Sequence, residues 1–134
     1  MSQVKQFSVQ TSSSVQFIRI DERVNEIIRG SGVQNGICAI FVPHTTAGVT
    51  INENADPDVV RDMIMEINKI VPISDGYRHG EGNSAAHIKS SLVGPSLSVI
   101  IENGRILFGT WQSIYFCEFD GPRSRRVFIK IIEE

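Results

Sequence analysis

Apolar positions along this chain repeat at two spacings, and the switches between them divide it into elements. Residues 3–9 and 15–20 alternate loosely between apolar and polar side chains, separated by Thr11-Ser12-Ser13-Ser14. A period of two interrupted by a polar tract predicts two strands joined as a hairpin. From Asp21 the spacing becomes helical, with Val24, Ile27 and Ile28 on one face and Gly30 and Gly32 as stop signals. Residues 36–42 form a continuous apolar run between Asn35-Gly36 and Pro43, which predicts a central strand buried on both faces. A short strand follows at Gly48–Asn52. The clearest helix comes next. Asp56 is its N-cap, Pro57 occupies the first helical position, Asp58 complements the dipole, and Val59, Val60, Met63, Ile64, Ile67, Ile70 and Val71 recur until Pro72.

A third, short helix is predicted from Ser84 to Leu92, stopped by Gly94-Pro95. Leu97–Ile101 and Arg105–Phe108 flank Asn103-Gly104, the strongest short hairpin signal because both central positions need positive φ. Trp111–Phe119 is a further strand, Asp120-Gly121-Pro122 turns the chain, and Arg126–Ile132 closes it. The closing strand is apolar on both faces, so one face packs on the core and the other on a helix or a neighbouring subunit. The order is strands, helix, strands, two helices, strands. This predicts an α+β fold with a mixed or antiparallel sheet and two to three helices, in one domain spanning residues 1–134.

Composition narrows the function classes. The 134 residues include 41% hydrophobic and 21% charged side chains, enough to bury a core without staples. The net charge of -2 offers no basic field, so neither nucleic acid nor an acidic membrane is an expected partner. Cys38 and Cys117 lie in apolar strand segments and read as small buried side chains, not a disulfide or thiolate ligands. The N-terminal residues show no apolar leader, and no apolar run has the length of a membrane span, so a cytoplasmic location is expected.

The three histidines carry the chemistry. His44 lies in Pro43-His44-Thr45-Thr46-Ala47-Gly48, His79 in Tyr77-Arg78-His79-Gly80-Glu81-Gly82-Asn83, and His87 in Ser84-Ala85-Ala86-His87. All sit in polar, glycine-punctuated segments, and three imidazoles with an open position are a usual catalytic zinc set. Convergence of the three on one point, within one subunit or across a boundary, is therefore expected. Their spacing does not match the His-Glu-x-x-His helical pattern, and His87 reads equally as a polar residue on a short helix face. Thr45 and Thr46, with Gly48, fit a loop that wraps an anionic ligand, or threonines that satisfy local backbone. Glu53 is a possible fourth ligand, an orienting partner or a general base, against the plain reading of a solvated turn. Pro57 stands where a calcium loop needs glycine. Trp111, beside Gly109 and Gln112, walls a pocket or an interface, or joins the core. The turn Asp120–Arg126 holds three arginines suited to phosphate, or to solvent.

Taken together, PHTTAG (43–48), INEN (51–54), YRHGEGNSAAHIKSSLVG (77–94), GTWQ (109–112) and EFDGPRSRR (118–126) closely resemble the YjbQ-like family, often labelled secondary thiamine-phosphate synthase. The match covers nearly the whole chain in the expected order. The resemblance implies a compact α+β subunit with a partly barrel-like sheet, assembled as a homotrimer, with a metal-binding site near the subunit interfaces. On this chain its histidines are His44, His79 and His87. Glu53 and Asn83 match other polar motif positions, and Arg123 and Arg125 match the basic turn. The implied reaction condenses a hydroxymethylpyrimidine pyrophosphate with a thiazole phosphate and releases pyrophosphate. A divalent ion and arginines would neutralise that leaving group. Three imidazoles favour zinc or another late transition ion, while pyrophosphate chemistry favours magnesium. Two other readings use the same residues: a metal-dependent hydrolase of a small phosphorylated or ester substrate, and a non-enzymatic trimeric protein that binds a metal or ligand.

Overall fold

Alternation along one strand, Gln112–Glu118, sets the layers of the molecule. Ile114 and Phe116 enter the main core, while Tyr115 and Cys117 point the other way into a second cluster. The computed structural model describes residues 3–134. In chain order the elements are β1 (Lys5–Gln10), β2 (Gln16–Arg19), α1 (Asp21–Ser31), β3 (Gly36–Phe41), β4 (Ala47–Glu53), α2 (Pro57–Ile70), α3 (Ser84–Val93), β5 (Ser96–Glu102), β6 (Arg105–Ile106), β7 (Gln112–Glu118) and β8 (Ser124–Glu133). The strands form a five-stranded sheet, β1-β8-β3-β5-β6, and a three-stranded sheet, β2-β7-β4. Every pairing is antiparallel. The α+β expectation holds, and the strands curl into a partial barrel.

The main core lies between the two sheets. Phe7, Val9, Cys38, Ile40, Val99, Ile101, Val127 and Ile129 of the larger sheet meet Val49, Ile114 and Phe116 of the smaller one, with Val24 and Ile28 of α1. On the outer side of the three-stranded sheet, Tyr115, Cys117 and Phe119 pack with Ala86 of α3 and with Val60 and Ile67 of α2. Burying these side chains supplies the driving force, at about 25 cal/mol for each Å² of apolar surface removed from water.

Local signals read from the sequence appear where expected. The Asp56 side chain accepts from the Asp58 amide at 2.9 Å, and Pro57 starts α2. Asn103 and Gly104 take φ of 55° and 76° between β5 and β6. α1 ends at Gly32, in the left-handed conformation. Cys38 and Cys117 are free and buried, and burial raises both thiol pKa values, that of Cys38 to about 11.

Two expectations fail. β1 and β2 do not form a hairpin, because β1 pairs with β8 and β2 with β7. The polar tract between them is tied to the β7–β8 turn: the Thr11 amide donates to the Arg123 carbonyl at 3.0 Å, and the Gly121 amide to the Ser14 carbonyl at 3.1 Å. The tract therefore crosses the ends of both sheets instead of reversing. β3 is central, flanked by β5 and β8, but only one face is buried within the chain. Ile37 is 48% exposed on its outer face, beside Ile100 and Ile132, each 57% exposed, on the adjoining strands. Among the described residues no helix is long and apolar enough to cross a membrane.

Candidate functional site

β4 begins where β7 ends, with Ala47 opposite Glu118. That register brings the 42–46 loop beside the β7–β8 turn and builds a polar cluster at one end of the smaller sheet. At its centre is an ion pair between Glu118, fully buried, and Arg125, 3% exposed. The Arg125 guanidinium donates through Nε to Glu118 Oε1 at 2.9 Å and through Nη2 to Oε2. Thr11 Oγ1 donates to Oε1 at 2.8 Å and the Asp120 amide to Oε2 at 3.0 Å. Burial raises the Glu118 pKa, but these hydrogen bonds outweigh it and hold the carboxyl below its usual range.

This pair revises two sequence assignments. Arg125 was expected to bind phosphate, yet its Nε and Nη2 are committed to Glu118 and Thr46. Thr46, also expected at a ligand, is buried and takes the Arg125 Nη2 donor on Oγ1 at 2.9 Å. Thr45 is exposed, and its carbonyl accepts from Ser90 Oγ at 2.6 Å, which ties the loop to α3. Gly48 serves packing rather than a ligand. A Cβ there would stand 2.6 Å from the Gly94 carbonyl oxygen at the end of α3.

His44 emerges at the edge of the cluster. Its Nε2 accepts from the Arg126 amide at 2.9 Å, so the neutral ring carries its proton on Nδ1. Burial, then the charges of Arg125 and Arg126, lower its pKa. A metal ion would take His44 only by displacing the Arg126 amide. As it stands the ring offers one N–H donor.

α3 runs from this end along the smaller sheet. The Asn83 Nδ2 donates to Asp120 Oδ2 at 2.9 Å ahead of its first turn, and the Val49 amide donates to the Gly94 carbonyl at 3.0 Å beyond its last. His87 lies in the first turn of α3, and His79 in the preceding loop. Their rings meet edge to face, with centroids 5.6 Å apart. Together with Tyr77, Arg78, Ser84 and Ile88 they line an open cleft of about 400 Å³. Glu81 Oε2 is 4.0 Å from His79 Nε2. The loop histidine and the helix histidine thus converge as a pair.

Glu53 does not join His44 within one chain. It ends β4, opposite Gln112, while the His44 loop precedes Ala47. Seven strand residues separate those ends by about 20 Å. Its carbonyl accepts from the Tyr115 hydroxyl at 2.8 Å. Trp111 shares that far end, 62% exposed, and is not a core residue. Arg123 is half exposed, with Nη2 3.2 Å from Asp120 Oδ2.

The fit to a metal is therefore partial. Among the described residues no group of three His, Cys, Asp or Glu side chains is arranged to hold an ion. One chain presents the His79–His87 pair, and a third protein donor has to come from elsewhere. The sequence reading missed three residues. Glu118 was signalled only as the one acid in the apolar run Ile114–Phe119, Arg78 by its place beside His79, and Lys89 by nothing but helical phase.

The model of the family described as UPF0047 protein YjbQ-like matches residues 5–134. The UPF0047 protein YugU of Bacillus subtilis is 49% identical over 130 residues, which span 96% of this chain and 98% of that one. A UPF0047 protein of Methanocaldococcus jannaschii is 49% identical over 126 residues, covering 94% and 91% of the two chains. A crystal structure of a yjbq/upf0047 family protein from Clostridium acetobutylicum superposes with a TM-score of 0.94 at 55% identity, over 96% of this chain and 99% of that one. A YbjQ-like protein from Sulfolobus solfataricus gives 0.94 at 30% identity, over 100% and 99%. Sequence motifs, fold and near-complete coverage agree: the chain belongs to the YjbQ-like UPF0047 family.

Proposed function

We propose that this chain is a metal-dependent transferase acting on phosphorylated heterocycles, of the thiamine-phosphate synthase type. It would join a hydroxymethylpyrimidine pyrophosphate to a thiazole phosphate with loss of pyrophosphate. The observation that carries this reading is the His79–His87 pair, with ring centroids 5.6 Å apart above a cleft that also holds Arg78. Two imidazoles suit a late divalent ion, zinc above all, and magnesium could accompany the pyrophosphate. When bound, such an ion supplies charge neutralisation at the departing phosphate oxygens. Arg78 provides a fixed positive charge at the cleft, and the exposed Arg123 a second basic group near the same end of the sheet. His44, whose pKa is lowered, stays neutral near pH 7 and donates from Nδ1.

Assembly as a homotrimer would complete the ligand set across a boundary. Its support is the apolar row Ile132, Ile37 and Ile100 on three neighbouring strands, with Phe41 and Phe128 stacked at 6.4 Å nearby. A contiguous apolar face of this kind is normally covered by protein. A cytoplasmic location accords with two reduced, buried cysteines.

A second reading, a non-catalytic metal- or ligand-binding protein, draws on the separation of Glu53 from the His44 end of β4, which leaves the solvent-exposed Glu81 as the carboxylate beside the pair in one chain. Hydrolysis of a small phosphorylated or ester substrate would use the same pair to position water. One experiment sorts the three. Protein is incubated with both precursors and zinc or magnesium, and, separately, with a panel of phosphate esters and lactones. Metal content is measured alongside. Thiamine phosphate above the level of a His79→Ala/His87→Ala variant supports the transferase. Ester turnover alone moves the assignment to a hydrolase. Stoichiometric metal lost in that variant, with no turnover, leaves the binding protein. No metal and no turnover reject both enzymes and the metal-binding protein.

A further inference from the structure

Lys89 is buried without a counter-ion. It is 4% exposed, and its Nζ donates to Asn68 Oδ1 at 2.5 Å. An ammonium has three donors, so this bond leaves two. Among the described residues no carboxylate lies within 4 Å of Nζ. Lysine is almost never buried unpaired, because burial strips water from its charge.

Lys89 lines a cavity of about 560 Å³ between α2, α3, the 13–15 segment and the end of β7. That size is ordinary for a small-molecule site. Its positions on α3 are Ala85, Ala86 and Lys89, whereas Ser84, His87 and Ile88 face the histidine cleft. The two spaces therefore flank opposite faces of one helix. A second under-bonded side chain borders the same cavity. Asn83 lines it, and its Oδ1 is buried with no partner, while its Nδ2 is held by Asp120. α3 begins there with no side-chain cap and no acid in its first turn. Val15, Ile64, Ile73 and Phe119 supply apolar wall.

We infer that this cavity is a second binding site, for a small carboxylic acid bearing a hydrogen-bond donor next to the carboxylate and a branched apolar tail. The carboxylate meets the free donors of Lys89, the donor meets Asn83 Oδ1, and the tail lies on the apolar wall. Both side chains are then satisfied by one molecule. Asp120, at the rim, disfavours a dianion, so a carboxylate fits better than a phosphate. The site is independent of the proposed metal chemistry, since no histidine lines it.

The test uses calorimetric titration of the whole protein with 2-hydroxy-4-methylpentanoate, leucine, 4-methylpentanoate and inorganic phosphate. The two acids with a donor should bind about tenfold tighter than 4-methylpentanoate, the worth of one hydrogen bond. Lys89→Met, shown to be folded by its melting transition, should weaken them by about 10- to 100-fold. Asn83→Ala should erase the difference between the acids. Amide shifts in the unmutated protein should map to residues 13–15, 64, 68, 85, 86, 89, 119 and 120 and spare 84, 87 and 88, which keeps the test valid if a variant does not fold. Absence of carboxylate binding, equal affinity in Lys89→Met, preference for phosphate, or shifts centred on the His79–His87 cleft would each overturn the proposal.

Discussion

The Glu118 carboxylate engages the Arg125 guanidinium with both oxygens, in a place where the two side chains are 0% and 3% exposed. The pair joins β7 to β8 across the turn and also grips the His44 loop, because Arg125 Nη2 reaches the Thr46 hydroxyl. Two charges buried this deeply are tolerated only when their other hydrogen bonds are met, as Thr11 and the Asp120 amide do here. Removing one partner strands the other. Arg125→Met should cost about 3–5 kcal/mol in urea unfolding. A change under about 1 kcal/mol would show the pair to be energetically idle.

The same carboxylate gives the fold an acid limit. Its pKa is lowered from 4.5 on folding, so the unfolded chain binds the proton first as pH falls. Its stabilisation is complete above that value and lost as pH drops through the lower folded pKa. His44 acts earlier. Its folded pKa lies below 6.5, so the unfolded chain also protonates first, and stability declines once pH falls below 6.5. In chelator-treated protein, His44→Gln should flatten the stability profile just below pH 6.5, leaving the acid loss set by Glu118 in place. Parallel profiles for the two proteins would contradict the assignment.

Gly48 marks the closest approach of α3 to the smaller sheet. The Gly94 carbonyl oxygen would be 2.6 Å from an added Cβ, and Val93 Cγ1 3.2 Å. Gly48→Ala should therefore push the end of α3 outward and cost about 1–3 kcal/mol, as overpacking does. The Val49 amide, which bonds the Gly94 carbonyl, should exchange its hydrogen faster. Unchanged protection at Val49 would show that α3 is not seated against this strand.

Ile37 lies between Ile100 and Ile132 on the outer face of the larger sheet, 48% exposed in the single chain. Ile37→Glu adds a charge to that row without touching the core. If copies of the chain assemble through this face, sedimentation should show a shift to the monomer with the circular dichroism spectrum retained. An unaltered sedimentation coefficient would place any assembly elsewhere.

Signals that act over a few residues were readable from the chain alone. The Asp56-Pro57 cap, the Asn103-Gly104 turn, the Gly32 stop and the three helices depend on local backbone sterics and one or two nearby hydrogen bonds. The family resemblance was equally legible, because its motifs are short and occur in order. What folding in space decided were the partnerships between distant residues. β1 and β2 look like a hairpin by alternation, yet β1 lies against β8 more than a hundred residues later. Arg125 and Thr46 look like ligand-binding side chains until β8 brings Arg125 to Glu118 and the β4–β7 register brings Thr46 to Arg125, and Glu53 is kept from His44 by the length of β4. The physical reason is that a strand's periodicity states which face is apolar but not which strand completes its hydrogen bonds. A buried polar group takes its role from partners that only the packed chain supplies.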